Sequence, residues 1–106
     1  MTGLRYVVLH HTGIENSHFD LMLELSPGSE LSTWRLPNWP PLSGDQFTPL
    51  KKHRRDYLEY EGPVSGNRGQ VKRVAAGQCE IIEQSGKKLI VSLKDIGQLD
   101  LPLFGV

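Results

Sequence analysis

Nowhere along this chain do apolar residues recur at helical spacing for more than about two turns. They come instead in short runs separated by glycine and proline. "LRYVVL" (4–9), "HFDLMLEL" (18–25), "LSTWRL" (31–36), "YLEYEG" (57–62), "GQVKRVA" (69–75), "QCEIIE" (78–83) and "LIVSL" (89–93) are β-rich or alternating, and each is read as a strand. Pro27-Gly28 predicts a turn between the second and third runs, and Ser85-Gly86 a hairpin before the last. A short piece near 50–58 is the one helical candidate. Short strands joined by such turns predict an all-β fold, a barrel or sandwich with long loops and at most short helical pieces.

With 106 residues there is room for one hydrophobic core, so 1–106 is expected to be a single compact domain. The segment "PNWPPLSGDQFTPL" (37–50) holds four prolines and a glycine, which predicts a long surface loop anchored by Trp39 and Phe47. The lone Cys79 lies in a predicted strand and is read as a small core residue, in keeping with a reducing compartment. No run approaches the roughly 20 apolar residues of a membrane span, and the opening "MTGLRYVVLHH" is too polar for a signal peptide. A soluble, cytoplasmic monomer is expected.

Charge is balanced overall, 12 basic against 12 acidic residues, so the whole molecule exerts no pull on an anion. Residues 51–73 depart from this balance. Lys51, Lys52, Arg54, Arg55, Arg68, Lys72 and Arg73 face only Asp56, Glu59 and Glu61 there. Such a cluster suits phosphate, and it equally suits a solvated face.

Three of the four histidines fall in "LHHTGIENSHFDLMLEL" (9–25). A period of two along 18–25 sends His18, Asp20, Met22 and Glu24 to one face and Phe19, Leu21, Leu23 and Leu25 to the core. His11 ends the preceding strand, and "TGIENS" is long enough to return beside it. Two imidazoles and one carboxylate suit Mn²⁺, Fe²⁺ or Zn²⁺ with coordination positions left open. The same residues also suit a capped, solvated turn. Further on, "KKHRRDYLEYEG" places His53 and Tyr57 four apart among cations, either converging on one anion or forming a basic loop and an edge strand.

In order, these segments resemble the 3′-phosphoesterase domain of bacterial DNA ligase D and its stand-alone versions. "VVLHHTGIENSHFDLMLE" is similar to that family's first block, "TWRLP" to its Ser-Trp-x-x-Pro block, and "HRRDYLEYEG" to its His-Pro-Leu-Glu-Tyr-x-x-Phe-Glu-Gly block. The likeness covers residues 6 to about 72. It implies a β-barrel with a concave active site and a manganese-dependent hydrolase that removes 3′-phosphates or 3′-ribonucleotides from DNA ends. His11, His18 and Asp20 would hold Mn²⁺, or Zn²⁺ or another divalent ion, with His10 as the alternative to His11. His53 and Tyr57 would contact the phosphate. DNA or DNA/RNA 3′ ends would be the partners, along with ligase or polymerase repair proteins as separate chains.

Two positions depart from that family. Its arginine after the metal aspartate is Met22 here, and its lysine after Trp-x-x-Pro is Asn38. Methionine cannot clamp a phosphate as a guanidinium does. Arg35, Lys52, Arg54, Arg55 and Arg68 are the candidates to supply the lost charge. A module that binds 3′ ends without turnover is the alternative.

Overall fold

A computed structural model describes residues 4–103. Strands β1 (Leu4–Thr12), β2 (His18–Glu24), β3 (Leu31–Leu36), β4 (Thr48–His53), β5 (Gly62–Pro63), β6 (Gln70–Gln84), β7 (Lys88–Leu93) and β8 (Gly97–Pro102) form one antiparallel sheet. Their order is β4-β3-β2-β1-β6-β7-β8, with β5 paired to β6. The sheet curls until its ends, β4 and β8, approach one another. Trp34 Nε1 donates to the Pro102 carbonyl and ties β3 to β8. The result is the expected all-β fold, as a half-closed barrel. Among the described residues, no helix is long and apolar enough to cross a membrane.

Alternation assigns the two faces. The inner face carries Leu4, Tyr6 and Val8 of β1, Leu21 and Leu23 of β2, Trp34 and Leu36 of β3, and Leu89, Val91 and Leu93 of β7. Trp39 and Phe47 pack on this core from the proline-rich loop, as anticipated, and Cys79 is buried in it. The outer face of the same strands is also covered at its centre. Val7, Leu9, Met22, Leu31 and Val71 form a second, smaller cluster closed by Leu58. So the His18–Glu24 strand is buried on both faces through its middle, more than simple alternation implies.

Several expected boundaries move. "YLEYEG" is no strand: Arg55–Leu58 is a 3₁₀ turn that drops Leu58 onto the outer cluster, and pairing resumes only at Gly62. The turn overlaps the helical candidate near 50–58, although residues 50–53 belong to β4. The loop from 37 therefore ends before Thr48. Pro49 and the two lysines of β4 lie on an edge strand, where a missing N–H and exposed charge are tolerated. The predicted strands 69–75 and 78–83 are one continuous β6. Gly77 does not break it; the Tyr6 ring packs there, 3.1 Å from where a β-carbon would stand. Beyond the expected strands, "GQLDLP" forms β8 after a turn at Asp95 and Gly97, both at positive φ. The Pro27-Gly28 and Ser85-Gly86 turns form as expected, closed by bonds from Ser29 N–H to Ser26 O and from Ser85 N–H to Lys88 O.

Candidate metal centre

Register converges the outer-face residues. In the β1–β2 ladder His11 stands opposite His18, and in the β2–β3 ladder Arg35 stands opposite Asp20. Cross-strand partners share a face, and His18 and Asp20 are two apart on one strand. His11, His18, Asp20 and Arg35 therefore meet at one end of the outer face. A nitrogen of each histidine and an oxygen of Asp20 all lie within 4.8 Å of one another. His10, one residue out of phase, faces the other way and stacks on Phe19 at 4.3 Å. The choice between His10 and His11 falls to His11.

Hydrogen bonding fixes the rings. A carbonyl can only accept, so His18 Nδ1–H donates to Asn16 O (2.9 Å) and His11 Nε2–H donates to Arg68 O (2.6 Å). In the neutral rings this leaves a lone pair on His18 Nε2 and one on His11 Nδ1. His18 Nε2 sits 3.6 Å from Asp20 Oδ2, with side chains only 10% and 6% exposed. Neither His18 Nε2 nor Asp20 Oδ1 has a hydrogen-bond partner. His18 Nε2 is buried beside Asp20 Oδ2 without a donor, and Asp20 Oδ1 has only the long ion-pair contact with Arg35, so both are acceptors that a bound cation would satisfy. A divalent ion fits this donor set, and backbone carbonyls holding the distal ring nitrogens are the usual support for histidine ligands.

The Arg68 carbonyl owes its place to Gly69. This residue has φ +76°, and a β-carbon there would come within 2.1 Å of Thr12 O. Only glycine lets the 65–69 turn approach β1 closely enough to meet His11.

Two cavities open beside the triad. One, of about 490 Å³, is lined by His11, Asp20, Met22, Arg35 and Arg68 together with Lys51, Lys52, His53, Arg54 and Tyr57. His53 Nδ1–H donates to Lys51 O, leaving Nε2 to exchange a proton. The Tyr57 ring is wedged between His53 and Tyr60, at centroid distances of 5.7 and 5.9 Å. Arg35 lies 3.7 Å from Asp20 Oδ1 and is half exposed. Arg68 bonds the Ser65 carbonyl and hydroxyl with its own guanidinium. The second cavity, of about 660 Å³, shares His11, Arg35 and Arg68 and extends over Ile14–His18, Leu36, Pro37, Gln46 and Thr48. Thr48 faces it because it is the β4 partner of Arg35, a pairing with no signal in the sequence.

Of the five candidates to supply the lost charge, Arg55 alone is not brought to this cleft, and Lys72 and Arg73 of the basic cluster do not line it either. Arg55 Nη1 donates to Glu24 Oε2 (2.6 Å) and to Ser29 O (2.8 Å) at the far end of the outer face. Glu24 also accepts the N–H groups of Arg5 and Gly28. Burial pushes the Glu24 carboxyl up, but these polar contacts together outweigh it and hold it below the ordinary range. Asn38, at the family's lysine position, instead bonds Asp45 within the proline-rich loop.

No model of a known protein family matches the chain, and no curated protein sequence matches it.

Proposed function

We propose that the protein is a metal-dependent phosphoesterase acting at the 3′ ends of DNA, with Mn²⁺ as its ion, in DNA end repair. The observation that carries this reading is the buried His18–Asp20 pair, in which His18 Nε2 and Asp20 Oδ1 lack hydrogen-bond partners, beside a basic cleft that His11, Asp20 and Arg35 line. The ordered resemblance to the ligase D 3′-phosphoesterase blocks, in which the same residues fill the same roles, supports it. The ion would be held by His11, His18 and Asp20 and would supply Lewis-acid polarisation of a phosphoryl oxygen. Arg35, Lys51, Lys52, Arg54 and Arg68 hold the phosphate and spread the charge that develops on it. Tyr57 donates a hydrogen bond from the cleft wall. During hydrolysis a water oxygen bonds to phosphorus and gives up a proton. The bond from phosphorus to the 3′ oxygen breaks, and that oxygen takes up a proton. His53 delivers this proton from Nε2, its other nitrogen being committed to Lys51 O. The proton from the water restores the one that His53 loses.

The test is release of phosphate from a 3′-phosphorylated oligonucleotide, with and without Mn²⁺, by the wild type and by His18→Ala. Mn²⁺-dependent release lost in His18→Ala is expected; no Mn²⁺-dependent release at any enzyme concentration overturns the reading.

A specific observation favours a second reading, a module that binds 3′ ends without turnover. Met22 lines the basic cleft yet is 2% exposed and packed in the outer cluster, so no guanidinium comes from that position. Tight binding of a 3′-phosphorylated end without hydrolysis at any Mn²⁺ concentration separates the two.

A further inference from the structure

The two cavities beside the triad differ in chemistry, and that difference bears on what the ligand carries besides phosphate. Both include His11, Arg35 and Arg68, so a group seated at this ridge can reach into either. The smaller lobe adds three cations, Lys51, Lys52 and Arg54. Among the described residues lining the larger lobe, no cation is added to the shared pair, and Glu15 contributes a negative charge. Its walls are apolar at Ile14 and Pro37, and they carry neutral donors and acceptors at Asn16, Ser17, Gln46 and Thr48. A polyanionic strand gains nothing from such a surface. An uncharged group with an apolar face and a hydrogen-bonding edge does, and a lobe of this size is within the usual range for small organic ligands.

We infer that the Ile14–Gln46–Thr48 lobe is the binding site for the nucleoside part of the ester. On the shared ridge Arg35 and Arg68 hold the phosphate, and the basic lobe faces its remaining negative charge. This assignment rests on the phosphoesterase reading and deepens it: the substrate is recognised as a terminal nucleoside bearing phosphate, not as phosphate alone. Thr48 and Gln46 belong to the segment that enters β4, and Ile14–Ser17 to the β1–β2 connection. Neither segment supplies a side chain to the triad, and only the backbone carbonyl of Asn16 supports it, so side chains can vary here without removing a triad member.

The experiment is amide chemical-shift mapping of the metal-free full chain with three probes: inorganic phosphate, thymidine and thymidine 3′-monophosphate. Without metal no turnover complicates the titration. Phosphate is expected to shift amides at 35, 51–57 and 68, and thymidine those at 14–17 and 46–48. The 3′-monophosphate is expected to shift both sets and to bind roughly tenfold more tightly than phosphate, a modest gain for added apolar burial. Ile14→Trp, which fills the lobe from a loop position, is expected to return the 3′-monophosphate to the affinity of phosphate while leaving phosphate binding intact. Silence of 14–17 and 46–48 toward both nucleoside probes, or an Ile14→Trp protein with undiminished preference for the 3′-monophosphate, overturns the inference. Silence of the basic lobe toward phosphate, with thymidine still shifting 14–17, instead counts against the phosphoesterase reading and supports the nucleoside lobe.

Discussion

Removing Arg55 should loosen the segment that carries His53 and Tyr57, although Arg55 touches neither the triad nor the cleft. The 53–58 segment crosses the outer face and is held at two points. Leu58 is sunk among Val7, Leu9, Met22, Leu31 and Val71, and Arg55 is bonded to Glu24 and Ser29 O. Breaking a fully buried ion pair costs about 3–5 kcal/mol, and an exposed one about 0–1 kcal/mol. Glu24 is 7% exposed but Arg55 is 37% exposed, so solvent screens part of the interaction. The N–H groups of Arg5 and Gly28 also remain on the carboxylate. Arg55→Met, which keeps the aliphatic stem, should therefore cost roughly 2 kcal/mol and lower Tm by ~10 °C. The sign of the pH dependence follows from the lowered Glu24 pKa. Its stabilisation is complete above the ordinary value of 4.5 and is lost as pH falls through the lower folded value. The wild type should thus lose stability below about pH 4.5, and Arg55→Met should show a shallower acid limb. Thermal unfolding followed by circular dichroism at pH 7 and across pH 5 to 3 measures both. Mn²⁺ affinity should be unchanged, because the three triad side chains lie on β1 and β2 and Arg55 touches none of them, while phosphate binding falls. A Tm within ~2 °C of wild type, together with an unaltered acid limb, would refute the clamp.

Other outcomes follow from the same geometry. Asp20→Asn keeps the shape of the buried side chain but removes the charge that faces Arg35, and Mn²⁺ affinity, by calorimetry, should fall roughly 100-fold or more. A variant that still binds Mn²⁺ normally would contradict the assignment. Gly69→Ala should destabilise the fold by roughly 1–3 kcal/mol and weaken Mn²⁺ binding by shifting the Arg68 carbonyl off His11. Gly44→Ala, at φ +88° but with no neighbour within 4 Å, is the control and should leave Mn²⁺ binding alone. Burial, with a smaller push from the Glu24 charge, drives the Cys79 thiol up to about 11, so it should resist thiol reagents at pH 8 until the protein unfolds. Its protonated form favours the folded state below pH 9, and that contribution is lost as pH rises toward 11, visible as a Tm that falls more steeply over that range than the Tm of Cys79→Ala.

The triad was legible because it depends on rules that act locally. A period of two puts His18 and Asp20 on one face, a hairpin places His11 opposite, and phase alone excludes His10. The 53–62 segment was not legible. "YLEYEG" has strand composition, yet the N–H groups of Glu59 and Tyr60 turn back to Asp56 O because Leu58 gains more on the outer cluster than in a ladder. Glycines misled in the same way. Gly77 in β6 marks where a tyrosine ring passes and not where a strand stops. The role of Arg55 was hidden for a related reason: charge clusters in sequence do not reveal which member is spent on a buried carboxylate 31 residues away. The neutral lobe had no local signal at all, since Thr48 and Ile14 meet only once β3 and β4 are paired.

The outer face of β2 gives Met22 a reason that the resemblance by itself could not supply. Along this one strand the outward residues divide into three roles, with His18 and Asp20 in the triad, Met22 in the middle and Glu24 at the clamp. The middle position lies beneath the 3₁₀ turn, in the cluster that Leu58 closes. A guanidinium placed there would either be buried without a carboxylate partner or lift the segment off the sheet. The cleft still has an arginine near the triad, because Arg35 on the neighbouring strand stands directly opposite Asp20 and shares its face. Moving the cation across one ladder step leaves position 22 free to be apolar, and an apolar position 22 is what lets the segment bearing His53 and Tyr57 pack beside His11, His18 and Asp20.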